Sequence, residues 1–147
     1  MRITSIGLKN FRAFYGEHII NLGNDGKNLL VYGENGSGKS SLFLALQAFI
    51  FAHQNPSQTL KPFRNIFADD TADAYLNLTV KTDSSKPAQT FSWSDSGHDD
   101  TFDDPIFRRA ALTSGFLEYK VLQETYFLQI KDGRVNIFDL LVRTLLG

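Results

Sequence analysis

The sequence predicts an α/β fold: a mixed sheet with antiparallel hairpins arranged around a single early helix. Three observations carry that expectation. Short apolar or alternating runs recur, each bounded by turn residues, as half-buried strands require. One stretch, residues 39–52, switches to helical spacing. At the junction between these patterns stands "GENGSGKSS", which packs three glycines, one cation and three serines into nine positions.

The elements follow in order. "ITSIGLKNF" (3–11) places Ile6 and Leu8 on one face and reads as a strand. "EHIINL" (17–22) reads as a second, and the connection "RAFYG" is short enough for an antiparallel hairpin. "GNDGK" (23–27) is turn chemistry, and "NLLVYG" (28–33) then reads as a short buried strand. In the helix, Leu42, Leu46 and Phe49 recur at helical spacing, and Ala45 and Ala48 are good helix formers. The polar run "HQNPSQTLKPF" ends it. "AYLNLTV" (74–80) puts Leu76, Leu78 and Val80 on one face with Tyr75 out of phase, and "AQTFSWS" (88–94) is its expected hairpin partner. Residues 95–104 read as a loop. Asp104 and Pro105 suit the cap and first position of a helix that Gly115 closes. A strand is expected over 124–130 and a last helix over 135–146, where Val135, Phe138, Leu141, Val142 and Leu145 form an apolar stripe.

Bulk properties set the bounds. The chain has 147 residues, 42% of them apolar, enough for the core of one domain or of one lobe of a larger one. The formal net charge of -1 does not demand a nucleic-acid partner. With no cysteine, disulfides and thiolate metal sites are excluded. His18, His53 and His98 lack metal-ligand spacing. The opening "MRITSIGLKNF" is too polar for a signal peptide, and no apolar run approaches the roughly 18 residues of a membrane span. A cytoplasmic protein without a membrane partner is the expectation.

Gly33, Gly38, Lys39 and Ser40 satisfy the pattern G-x-x-x-x-G-K-[ST] between an expected strand and a helix. Small residues let the backbone close around a phosphate, and the N–H groups of the loop and of the helix start point at the anion. Lys39 then reaches the β- and γ-phosphates. Ser40 offers its hydroxyl to Mg²⁺, an ion that prefers oxygen ligands. Ser41, next along the first turn, helps hold the α-phosphate.

The stretch "LKNFRAFYGEHIINL…NLLVYGENGSGKSSLFLAL" resembles the opening of the SMC/RecF-type branch of ABC ATPases, which act in chromosome maintenance, DNA repair and phage defence. The likeness is close over residues 3–50 and rests on Asn10, Phe11, Arg12 and Phe14 followed by the loop from Gly33 to Ser41. It implies a P-loop NTPase lobe of ABC type that binds ATP with Mg²⁺. In that reading Asn35, Gly36, Ser37, Gly38, Lys39, Ser40 and Ser41 form the nucleotide loop. Arg12 lies near the nucleotide, and Asn35 sits at the loop apex close to the γ-phosphate and a dimer partner. A Q-loop glutamine that touches the metal beside Ser40 is implied as well; Gln129 is the first candidate and Gln123 the second.

Other parts of such an ATPase are not found in the sequence. No four apolar residues run into Asp-Glu, the Walker B pair that holds Mg²⁺ and polarises water. "IFDL" (137–140) has Leu where Glu should follow. The pairs Asp69–Asp70, Asp99–Asp100 and Asp103–Asp104 read as solvated turns or caps. Neither a signature motif nor a histidine switch is present. In the family these come from a C-terminal lobe after an insertion, so residues 1–147 are expected to be an N-terminal lobe, excised or awaiting its partner. The expected partners are a second ATPase head, as a homodimer or through a cognate C-terminal lobe, and, on the scattered cations Lys61, Arg64, Arg108 and Arg109, DNA. Alone, the chain is expected to be inactive. The rival reading is a nucleotide-binding regulatory or assembly module that never hydrolyses. A GTPase or small-molecule kinase fits less well: no N-K-x-D motif reads guanine, and a hairpin precedes the loop.

Overall fold

A computed structural model describes residues 2–51, 59–82 and 85–98, with positions 105, 109, 112, 115 and 116. The chain divides into two compact units, Met1–Ala111 and Leu112–Gly147, and the elements below belong to the first. Strands β1 (Arg2–Phe11), β2 (Phe14–Asn21), β3 (Tyr75–Lys81), β4 (Gln89–Ser94) and β5 (Gly97–His98) form one sheet of order β2-β1-β3-β4-β5. The helix α1 spans Lys39–Phe51, and a 3-10 turn follows at Lys61–Phe63.

Alternation decides which face of the sheet is covered. Along β3 the pattern puts Leu76, Leu78 and Val80 inside, and β4 adds Phe91 and Trp93 on the same side. Ile6 and Leu8 of β1 join them. Against this face α1 lays Leu42, Ala45 and Phe49, at the i, i+3, i+7 spacing of one helical stripe. Among the described residues, Trp93, Phe11, Phe49 and Phe91 are the largest fully buried side chains. Fully burying each such ring is worth about 2–3 kcal/mol. The opposite face stays polar, with Thr79 and Thr90 sharing a hydroxyl bond of 2.9 Å across β3 and β4.

Two expectations need correction. The sheet was expected to be mixed, but every pairing among the described residues is antiparallel. The buried strand expected over 28–33 does not form: these residues carry no ladder, and Leu30 and Tyr32 are 85% and 88% exposed. The reason is physical. A strand covered on both faces needs neighbours to take its N–H and C=O groups. Of the described strands only β2 and β5 have an open edge, and residues 28–33 pair with neither. Boundaries also moved. β2 starts at Phe14, leaving only Arg12 and Ala13 as the hairpin turn, and the loop expected over 95–104 begins with the short β5. Pro105, Arg109 and Leu112 are helical, in keeping with the helix start read at Asp104 and Pro105. The strand expected over 124–130 and the helix over 135–146 lie outside the described residues.

On the polar face the Tyr75 hydroxyl donates to the Glu17 carboxylate. Partial burial first, and then this bond and the neighbouring negative charge, push the Tyr75 phenol up to about 12. The folded state thus disfavours the phenolate relative to the unfolded chain. Its contribution to stability is complete below the ordinary tyrosine value and is lost as pH climbs through about 12. In an alkaline absorbance titration, tyrosine ionisation should extend to about pH 12, and Glu17→Gln should remove part of that last step. Tyrosine ionisation complete well below pH 12 in the folded protein would contradict this placement.

Candidate phosphate-binding loop

The loop opens where the unpaired residues 28–33 end. The Ser37 N–H donates to Glu34 O at 3.2 Å, so Asn35 and Gly36 form the apex of a turn. Gly36 there has φ +86°, the sign that a type II turn asks of its third residue. Gly38 has φ +91° and delivers the chain into α1. Its Cα faces the β1–β2 turn, since an added Cβ would lie 3.5 Å from both the Ala13 methyl and the Phe14 ring. The hairpin therefore backs the loop.

The first helical bond runs from Leu42 N–H to Gly38 O at 3.0 Å. An α-helix leaves its first four N–H groups without internal acceptors. Here those belong to Gly38, Lys39, Ser40 and Ser41, and none meets a protein acceptor among the described residues. Gly38 has no side chain to cap them, and the first turn holds no acidic residue to compete for the positive end of the helix dipole. The Lys39 ammonium curls back over the loop. It donates to Gly33 O at 2.8 Å and Glu34 O at 2.6 Å, with Ser37 Oγ at 3.4 Å, and it remains open to solvent. A cation thus stands beside four N–H groups that meet no protein acceptor among the described residues. These donors fit the oligophosphate of ATP, and the exposed Ser40 hydroxyl fits a Mg²⁺ ligand.

Two clefts flank the start of α1. One, of about 370 Å³, is lined by Ser37, Gly38 and Lys39 with Phe14, Ile20 and residues 29–32. The other, of about 540 Å³, brings Arg12 and Ser41 together with Tyr15, Asn65, Ile66 and Phe67. Arg12 itself has φ +46°, a left-handed backbone that costs a non-glycine residue about 1–2 kcal/mol. Its N–H donates to Phe63 O at 2.8 Å, and its carbonyl accepts from Asn65 Nδ2 at 2.5 Å. Asn10, the other left-handed non-glycine residue among the described ones, is likewise fixed: its amide donates to Asp73 O at 2.8 Å and accepts from Gly16 N–H at 2.9 Å.

Asn35 and Gly36 stand exposed at the apex. Gln129 and Gln123 lie outside the described residues, as do Arg108 and the acidic pairs Asp99–Asp100 and Asp103–Asp104. Asp69 caps its own turn, accepting from Thr71 N–H and Oγ1 at 2.8 and 2.7 Å, bonds that lower its pKa. Arg64 is not a free cation for DNA. Its guanidinium pairs with Asp95 and donates to Asp69 O at 2.7 Å and Ala72 O at 2.6 Å. Lys61 and Arg109 are exposed. Sequence reasoning named Arg64 only as a surface cation and missed the contacts of residues 63–67 with the hairpin, which no periodicity marks.

A glycine loop that ends in a lysine at a helix start, with the first amides of the helix left without protein acceptors, defines the phosphate-loop class of nucleotide-binding proteins. A model of the AAA domain family matches residues 5–139, and the chain belongs to that family, an SMC/RecF-like group of P-loop ATPases. Members of the family generally bind ATP with Mg²⁺. No curated protein matches the chain. Among the described residues, no helix is long and apolar enough to cross a membrane, and no cluster of three or more His, Cys, Asp or Glu side chains forms a metal site.

Proposed function

We propose that the chain is the N-terminal lobe of an ABC-type ATPase head in the cytoplasm, binding ATP and Mg²⁺ through residues 35–41 with Arg12. The single observation that carries this reading is the loop itself: Lys39 over its carbonyls beside four unclaimed amides. Bound Mg²⁺ would draw charge from the phosphates, and Ser40, with Gln129 as the proposed second ligand, would hold it. Lys39 neutralises the outer phosphates, and the α1 amides orient the chain of phosphoryl groups. A cognate C-terminal lobe would supply the acidic pair that this sequence lacks. The exposed apolar stretch Leu29–Tyr32, with no described strand beside it, supports a completing element. Nucleotide would then be sandwiched between two heads, and hydrolysis would part them and drive a DNA-associated repair, chromosome-maintenance or phage-defence machine. The missing Walker B pair favours one other reading, a module that binds nucleotide without hydrolysing it.

The test uses the purified chain with ATP and Mg²⁺. Calorimetry should detect weak binding, and a phosphate-release assay should detect no turnover. Adding a lobe with the Asp-Glu pair should start turnover that Lys39→Ala abolishes. Turnover by the chain alone, or no binding at all, would overturn the proposal. Binding without turnover under every pairing of lobes would favour the regulatory module.

A further inference from the structure

We propose that Asn65 is a positioning residue for nucleotide binding, holding Arg12 in the left-handed conformation that keeps its side chain on the cleft shared with Ser41. The inference rests on the reading of Arg12 as a nucleotide contact.

Asn65 is a polar residue only 6% exposed, and each of its polar groups named here is spoken for. Its N–H donates to Asn10 O at 2.8 Å, and its Oδ1 accepts from Phe67 N–H at 2.8 Å. Its C=O accepts from Ala68 N–H at 3.1 Å, and Nδ2 donates to Arg12 O at 2.5 Å. Phe63 O takes the Arg12 N–H at 2.8 Å, and Phe11 and Arg64 form an isolated antiparallel bridge. Residues 63–65 therefore clamp both peptide groups of Arg12. A left-handed arginine persists only where its surroundings over-determine it, and this clamp is the device.

The clamp has a firm backing. Arg64 is tied to Asp95 and to the carbonyls of Asp69 and Ala72, so the segment cannot follow Arg12 if that residue relaxes. Were Asn65 needed only for its own turn, the bond from Phe67 to Oδ1 would suffice. The Nδ2 bond serves Arg12. Without it, Arg12 keeps only the Phe63 bond and its place in the two-residue β1–β2 turn, so the left-handed backbone of a residue that lines the cleft with Ser41 is less firmly fixed.

The experiment measures affinity for a fluorescent methylanthraniloyl-ATP, together with thermal melting of the nucleotide-free chain. The variants are Arg12→Ala, Asn65→Ala, Asn65→Asp, Lys39→Ala and the double variant Arg12→Ala with Asn65→Ala. Loss of one charge-assisted contact should weaken binding about 10-fold in Arg12→Ala. Asn65→Ala should lose roughly 5- to 10-fold, yet add almost nothing in the Arg12→Ala background, the signature of a coupled pair. Asn65→Asp keeps the size and the Phe67 acceptor but offers Arg12 no donor, so it should bind as poorly as Asn65→Ala even if the alanine variant melts early. Wild-type affinity in Asn65→Asp beside a weakened Arg12→Ala overturns the positioning role alone. Equal losses from Asn65→Ala with and without Arg12 overturn it too, by making the residue merely structural. Wild-type affinity in Arg12→Ala beside a weakened Lys39→Ala overturns both this inference and the reading of Arg12, and leaves the phosphate loop standing.

Discussion

Lys39→Ala should lower the affinity for ATP about 100-fold while leaving the fold intact. A hydrogen bond to a charged group is worth about 1.5–3 kcal/mol, and Lys39 stands where two phosphoryl groups would share it. Losing about 3 kcal/mol corresponds to roughly 100-fold in affinity. The cost to stability should be small. The ammonium is exposed, and its present partners, Gly33 O, Glu34 O and Ser37 Oγ, all lie within the loop and remain reachable by water. Surface substitutions of this kind stay within about 0.5 kcal/mol. Lys39→Arg should not rescue binding, because a planar fork cannot replace a compact ammonium seated between two carbonyls. A fluorescent-nucleotide titration paired with a circular dichroism melt checks both halves. Unchanged affinity in Lys39→Ala would remove the main support for a phosphate site.

Much of this site was legible because its chemistry is local. The glycines, Lys39 and the serines sit within nine consecutive residues, and the turn at Gly36 and the helix start at Gly38 need only those residue types in that order. The hairpins were legible for a similar reason: alternation along β3 and β4 is a period that any window of the sequence displays. What escaped was everything that depends on distant parts of the chain. The run "NLLVYG" looks like a buried strand because apolar residues imply cover, but the sequence does not say which neighbour provides it. Among the described residues none does. Arg64 looked like one more surface cation until Asp95, 31 residues away, claimed it. Asn65 carries no signal at all, since an amide that bonds a carbonyl 53 residues earlier leaves no periodic trace. Even Arg12 was found by its neighbours in a motif. Nothing about arginine announces a positive φ.

The largest effect on stability should come from Trp93→Ala. Trp93 is the only tryptophan and is wholly buried. On β4 it sits opposite Leu76 of β3 and His98 of β5, and its ring meets the edge of Phe63 at 5.9 Å between centroids. Replacing a buried aromatic by alanine costs about 3–5 kcal/mol, because the lost transfer energy adds to a cavity that the sheet cannot close. A small domain has only about 5–15 kcal/mol in all. Urea denaturation followed by circular dichroism should therefore show a much lower midpoint with an unchanged slope, and Trp93→Phe should lose only part of that. The damage should also reach the site. Phe63 stacks on Phe11 at 5.8 Å, and its carbonyl holds the Arg12 N–H, so a void on its far side loosens one jaw of the clamp. In Trp93→Phe, which should stay folded, ATP affinity ought to fall by about 2- to 3-fold, as expected of contacts that share a packed neighbour. That loss should vanish in the Arg12→Ala background. If Trp93→Phe weakened binding equally with and without Arg12, the coupling would run through general loosening of the fold and not through Phe63.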